Sequence, residues 1–311
     1  QRIGRADGAG LGEAFARCDG GQQHGSRQAV CHDASAARQK QCAPARKRRG
    51  VGAVDSRIPH AREPPASHEV TDLTVSIGGA PPQFHAVVPC AGVGARSGAA
   101  GPKQYAPLAG RPLVAYTLDA LDRVARLASV TVVLSPEDAQ FEHVVPGWAG
   151  DRHWVARCGG DTRAQTVANA LGELVQRGVQ AHDWVLVHDA ARCLLRPEWV
   201  DRLIDACGDD EVGGLLAMPV ADTLKREQDG RVADTVDRRH LWAAQTPQMF
   251  RLGLLRPALA CAGDTVTDES SAVEALGHLP RLVRGDASNL KVTYPGDFAM
   301  AERLLQREVE R

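Results

Sequence analysis

Of the 311 residues, few are aromatic and none lies in a long apolar run. Only 4% are Phe, Trp or Tyr, and the formal net charge is −1. A near-neutral chain with few stacking side chains is poorly suited to nucleic acid. No stretch reaches the roughly 20 apolar residues that a bilayer-spanning helix needs. The eight cysteines are scattered, with no C-x-x-C pair and no histidine at zinc-finger spacing, so the composition fits a reducing, cytoplasmic compartment. Methionine is absent before Met218, so the first residue is not an ordinary initiator. The first eighty residues also lack a folding pattern. Phe15 is their sole aromatic residue, Pro-Pro pairs and the basic run Ala45 to Gly50 interrupt them, and neither helical nor strand period is sustained. Residues 1–82 are therefore expected to form a disordered leader, an upstream extension of the folded domain at 83–311. The basic run reads as solvated charge rather than a nucleic-acid arm.

The stretch from His85 to Tyr105, HAVVPCAGVGARSGAAGPKQY, is richer in information. A short apolar run predicts a buried strand from His85 to Val88. Glycines follow at Gly92, Gly94, Gly98 and Gly101, with Arg96 and Lys103 among them. Glycine lets backbone N–H groups approach an anion, and two cations add fixed positive charge. The combination proposes a polyphosphate site, although a surface loop with two solvated charges would look similar. No Gly-Lys-Ser/Thr ends the loop, which excludes a Walker A motif. Ser97 stands where a dinucleotide fingerprint needs its third glycine, and Pro102 interrupts the helix that should follow.

Beyond this loop, strand-like and helix-like segments alternate. Helices are predicted from Pro112 to about Arg126, Thr162 to Val175, Pro197 to Ala206, Leu252 to Cys261, Asp268 to Ala275 and Pro295 to about Arg307. Strands are predicted at Ser129 to Ser135, Trp184 to His188, the run ending near Val220, the run from Arg281, and NLKVT around Lys291. The alternation predicts an α/β fold with a doubly wound, mostly parallel sheet. A polar excursion at about 222–246, turning at Asp229-Gly230, is expected to leave the sheet as a hairpin-like arm. Ligands of such sheets bind beyond the carboxyl ends of the strands. There the sequence places Arg96 and Lys103, then Asp189 and Arg192 of HDAAR, then Asp222, Thr223 and Lys225. Taken singly, each also fits a cap or a surface charge.

Seven segments in order, PCAGVGARSGAAGPKQY, GGDTRAQTVANAL, VLVHDAARC, PVADTLKR, TVDRRHLWAAQTPQMF, VTDESSAVE and NLKVTYPGD, resemble the 2-C-methyl-D-erythritol 4-phosphate cytidylyltransferase family. The resemblance runs from Phe84 to about Arg307. It implies a Rossmann-like nucleotidyltransferase fold, and transfer of a cytidylyl group from CTP to 2-C-methyl-D-erythritol 4-phosphate in non-mevalonate isoprenoid synthesis. It further implies a divalent cation, Mg2+, and a homodimer formed through the arm. Arg96, Lys103, Arg238 and Lys291 match the family's catalytic cations. Arg96 and Lys103 would serve the transition state, and Arg238 and Lys291 the methylerythritol phosphate. Pro89, Cys90, Ala91, Gly92, Gly94, Gly160, Asp161 and Thr166 match its CTP-binding positions. Asp189, Arg192, Thr223, Thr246 and Thr267 match positions around the polyol, and Asp189 is the metal-ligand candidate. The arm, holding Arg238 and Thr246, would place those residues in the partner subunit's site. Cys90 stands where the family usually has Ala, Ser97 where it has a larger apolar residue, Thr166 where it has Ser, and Cys193 where it has Pro. All four are small and none removes a charge. Because the sequence ends soon after the last predicted helix, the cyclodiphosphate synthase domain fused to some relatives is not expected in it. A ribitol 5-phosphate cytidylyltransferase would share the loop and HDAAR. A Rossmann dehydrogenase and a nucleic-acid-binding protein fit less of the pattern.

Overall fold

The computed structural model describes residues 80–92, 101–262 and 266–309. The leader before Ala80, and with it Cys18, Cys31 and Cys42, lies outside them. So do Gly94 and Arg96 of the glycine loop.

Among the described residues the first element is β1 (Phe84–Pro89), and a short 3-10 turn lies at Lys103–Tyr105. A two-residue hairpin, β2 (Pro107–Leu108) and β3 (Arg111–Pro112), leads into α1 (Leu113–Asp122). Then come β4 (Leu127–Val133), α2 (Phe141–Val144), β5 (His153–Ala156) and α3 (Arg163–Gln176). The middle of the chain supplies β6 (Trp184–Val187), α4 (Pro197–Cys207) and β7 (Gly213–Pro219). The hairpin β8 (Leu224–Gln228) and β9 (Arg231–Val236) precedes β10 (Trp242–Arg251). Last are α5 (Leu252–Ala262), α6 (Glu269–Ala275), β11 (Arg281–Arg284) and α7 (Pro295–Val309).

Seven strands form one sheet in the order β11-β7-β10-β6-β1-β4-β5. All neighbours pair parallel except β10, which runs antiparallel to both β6 and β7. The predicted mostly parallel sheet is thus present, with one inserted antiparallel strand. Because side chains alternate along a strand, its two faces feed two cores. Ala86 and Val88 of β1, with Trp184 and Leu186 of β6, pack with Leu118 and Leu121 of α1 and Leu203 and Ile204 of α4. Val87, Val185 and Val187 face the other way, against Val167 and Leu171 of α3, Leu255 of α5 and Val273 of α6. A fully buried Leu or Val contributes about 1.5–3 kcal/mol, so these layers fix the strand ends firmly.

Several expectations need correction. Trp242–Arg251, placed partly in the excursion by sequence, forms the interior strand β10, between β7 and β6. Pro247 argues against a strand there, since it has no N–H to give a ladder. The register shifts between Ala244 and Gln248, which takes Pro247 out of regular pairing. The arm is correspondingly shorter: its paired strands span Leu224 to Val236, and Thr246 belongs to the sheet. Asp229 and Gly230 both have positive φ, 52° and 74°, as a two-residue Asp-Gly hairpin turn requires. NLKVT is not a strand. The segment is held instead by Val292, whose N–H bonds Ala191 O at 2.8 Å and whose side chain is buried with Leu108, Leu113 and Leu194. Helix α1 ends at Asp122, not Arg126, and β5 has no alternation to reveal it.

Candidate active site

The loops beyond the carboxyl ends of β1, β4, β5 and β6 enclose a cavity of about 640 Å³. Its first wall is Pro89, Cys90, Ala91 and Gly92, leaving β1. Cys90 is tied at both ends: its N–H bonds Val133 O at 2.7 Å, and its carbonyl accepts from the buried Gln104 Nε2 at 2.7 Å. Burial pushes the Cys90 thiol far above its ordinary value, with Asp138 and Asp189 adding to the effect, so it is a protonated packing group.

The opposite wall is Gly159, Gly160 and Asp161, between β5 and α3. Gly159 approaches so closely that a Cβ there would lie 2.3 Å from Ala91 Cβ and 2.7 Å from Leu134 O. Glycine is therefore required to bring the two walls together. Thr166 stands behind Gly160, its Oγ1 accepting from Gly160 N–H at 3.1 Å. Thr162 caps α3 by accepting from Gln165 N–H, in keeping with its sequence position.

Charge gathers on the third wall. Asp189, buried just after β6, places Oδ1 2.8 Å from Arg163 Nε and Oδ2 2.8 Å from Lys291 Nζ. Arg192 Nε lies 3.8 Å from Oδ2. Burial alone would raise the Asp189 carboxyl, but Arg163 and Lys291, then Arg192, outweigh it and hold it well below the usual carboxylate range. The remaining Arg163 nitrogens make a bidentate pair with Glu269, at 2.7 and 3.0 Å. Burial would lower the guanidinium, but Glu269 and Asp189 together hold it cationic. Lys103 Nζ donates to Val292 O at 2.6 Å, which sets it beside the Lys291 segment.

Asp189 is also fixed through its backbone. Its N–H donates to Thr246 Oγ1 at 3.1 Å, and Thr246 Oγ1 lies 3.1 Å from His188 Nδ1. His188 Nε2 faces Arg192 O at 3.2 Å. A carbonyl only accepts, so Nε2 carries the proton and Nδ1 accepts from the threonine hydroxyl. Arg192 in turn donates to Asn289 O at 2.6 Å and Ala244 O at 3.3 Å, and Asn289 Nδ2 donates to Thr246 O at 2.9 Å.

The structure therefore brings together Lys103, Lys291, Asp189, Arg192, Thr246, Thr166 and the described nucleotide-wall residues. Thr246 reaches Asp189 of its own chain, which corrects its expected place in a partner's site. Thr267 lines a smaller adjoining cavity of about 90 Å³ with Arg163 and Glu269. Thr223 and Arg238 are exposed at the root of the arm, where Arg238 donates to Ala221 O, and neither lines the main cavity. Asp189 does not fit a metal ligand: both its oxygens already face cations, and a metal ion would join three positive side chains. Among the described residues no group of three His, Cys, Asp or Glu side chains is placed to hold a metal. Sequence reasoning misses Gln104, Arg163, His188, Glu269 and Asn289, although all five lie inside the matched segments.

A family model described as IspD, 2-C-methyl-D-erythritol 4-phosphate cytidylyltransferase, matches residues 84–307. The chain is 58% identical over 224 residues to the bifunctional enzyme IspD/IspF of Albidiferax ferrireducens, covering 72% of this chain and 53% of that one. It thus spans about half the length of this relative. It is 52% identical over 231 residues to 2-C-methyl-D-erythritol 4-phosphate cytidylyltransferase of Burkholderia cenocepacia, covering 73% of this chain and 97% of that protein. A crystal structure of 4-diphosphocytidyl-2C-methyl-D-erythritol synthase superposes with a TM-score of 0.65 at 42% identity, over 73% of this chain and all of that one. The cytidylyltransferase from Thermus thermophilus superposes with a TM-score of 0.59 at 31% identity, over 72% of this chain and 99% of its own.

Proposed function

Because the chain belongs to the 2-C-methyl-D-erythritol 4-phosphate cytidylyltransferase family, we propose that it joins CTP to 2-C-methyl-D-erythritol 4-phosphate, giving 4-diphosphocytidyl-2-C-methyl-D-erythritol and pyrophosphate. The observation that carries this reading is the cation-rich end of the cavity, where Lys291, Arg163 and Arg192 gather around one buried carboxylate and Lys103 is held beside the Lys291 segment through Val292 O. A phosphate oxygen of the acceptor forms a new bond to the α-phosphorus of CTP, and the bond to the β-phosphate oxygen breaks. Pyrophosphate leaves with that electron pair. Little covalent chemistry falls to the protein, so its contribution is positioning and charge stabilisation.

In this proposal Pro89, Cys90, Ala91 and Gly92, with Gly94, Gly160, Asp161 and Thr166, hold the nucleotide. The close packing of Ala91 against Gly159 is proposed to limit the room beside the base and so to favour a pyrimidine over a purine. Lys103, with Arg96, serves the charge that develops toward the leaving pyrophosphate. Lys291 holds the acceptor phosphate, Asp189, Arg192, Thr246 and Thr267 serve the polyol, and Thr223, exposed at the root of the arm, is proposed to reach the polyol of a second copy together with Arg238. The required divalent cation, Mg2+ in this reading, comes with the triphosphate, in keeping with the preference of Mg2+ for phosphate oxygens and water.

The arm is proposed to pack on a second copy and carry Arg238 to its site. Support comes from exposed apolar side chains, Val232 of the arm at 64% and Trp242 at the start of β10 at 38% exposure. Residues 1–82 are proposed to lie outside the catalytic domain. The described helices include none long and apolar enough to cross a membrane, and a cytoplasmic location is proposed. The test is CTP-dependent pyrophosphate release with methylerythritol phosphate and ribitol 5-phosphate as alternative acceptors. Release with the first and little with the second is expected; the reverse preference would overturn the acceptor assignment.

A further inference from the structure

We propose that Arg163 and Glu269 are positioning residues that set where Lys291 holds its ammonium group, acting through Asp189. The proposal rests on the reading of Lys291 as the residue that takes the acceptor phosphate. Arg163 uses three donor nitrogens at once: Nε bonds Asp189 and the two terminal nitrogens bond Glu269. Each attachment is itself anchored. Arg163 opens α3 directly after its Thr162 cap. Glu269 is fully buried and opens α6, behind the reciprocal Asp268–Ser271 capping box. Gln248 of β10 reinforces that end, donating to Asp268 Oδ2 at 2.8 Å and accepting from Ser270 N–H at 2.8 Å. The planar guanidinium thus transmits the position of two helix starts to Asp189 Oδ1. With Oδ1 committed, Oδ2 is presented to Lys291 at 2.8 Å.

The charge balance gives the arrangement its chemical sense. Arg163, Arg192 and Lys291 supply three positive charges against two negative charges from Asp189 and Glu269, leaving one positive charge over. That surplus suits an incoming phosphate ester. Lys291 is also the most exposed of these side chains, at 43%, so it is the one able to reach a ligand while keeping its carboxylate contact. Removing the Glu269 charge would direct the whole attraction of Arg163 onto Asp189. The carboxylate would turn toward Arg163, and Lys291 would lose its fixed partner.

A double-mutant cycle tests this. Glu269→Gln keeps the shape and removes the charge. It should raise KM for methylerythritol phosphate about tenfold, in line with couplings inside one ion-pair network, while KM for CTP changes little. Arg163→Lys keeps the charge but has no three-way fork, so it should give the same selective defect rather than rescue. Placed on Lys291→Ala, Glu269→Gln should add less than about twofold, because the group it positions is gone. Calorimetric binding of methylerythritol phosphate, with a non-transferring CTP analogue present, gives the same cycle where turnover is too slow. Full multiplication of the two defects, or a parallel rise in KM for both substrates, would show that the pair only supports the fold. If Lys291→Ala itself leaves acceptor binding unchanged, the reading of Lys291 falls and this proposal with it. That outcome is distinct from multiplication, which sinks the positioning role alone.

Discussion

His188 offers a stability signature that can be worked from the structure. It is fully buried, and burial lowers its pKa to about 4 from an ordinary 6.5, with Asp189 and the carbonyl of Arg192 opposing only in part. The folded value lies below the unfolded one, so between pH 6.5 and 4 the unfolded chain binds the extra proton. Stability is therefore complete above pH 6.5 and falls as the pH drops toward 4. The slope approaches about 1.4 kcal/mol per pH unit, for a total of about 3 kcal/mol. Asp189 does not confuse the window. Its depressed carboxyl begins to cost stability only below the unfolded aspartate value, near 3.8. His85 is also lowered by burial, with Asp183 opposing, but it is present in wild type and variant alike. Urea unfolding from pH 7.5 to 4.5 should show wild type losing stability faster than His188→Gln, so the two curves converge on acidification. A constant separation across that window would refute the buried neutral imidazole and the threonine–histidine link built on it.

Lys103→Ala should lower turnover roughly 100- to 1,000-fold with little change in CTP affinity; steady-state kinetics within about threefold of wild type would refute its transition-state role. Gln104→Ala should cost about 1–3 kcal/mol in urea unfolding, because the carbonyl of Cys90 is left buried without its donor; an unchanged midpoint would refute that. Mixing Arg238→Ala with Lys103→Ala under subunit exchange should restore activity, because one site of each heterodimer would receive neither defect. Mass-verified heterodimers without activity would place Arg238 within its own subunit.

The sequence is most legible where local rules act alone. Thr162 caps α3, Asp268 caps α6 and Asp229-Gly230 turns the arm, each by chemistry contained within a few residues. The buried parallel strands are legible as unbroken apolar runs, and their shared end locates Asp189 and Lys103. Strand β10 is not legible, because Pro247 and the glutamines on either side of it give neither an apolar run nor an alternation. Its place in the sheet comes from pairing with β6 and β7, the strands on its two sides.

The charge network fails to show for a different reason. Arg163 and Glu269 lie 106 residues apart, and each has an ordinary local role, one following a helix cap and the other filling an acidic first-turn position. Local chemistry explains both fully, so neither demands a partner. What changes their meaning is that two helix starts converge on the carboxyl end of β6, where one aspartate must satisfy three cations. Burial then forces pairing, since a carboxylate or guanidinium out of water is tolerated only when its bonds are made. The same aspartate that a positional argument offers to a metal is thereby committed to arginine and lysine. Its function follows from how its negative charge is divided among cations, and that division exists only in the assembled fold.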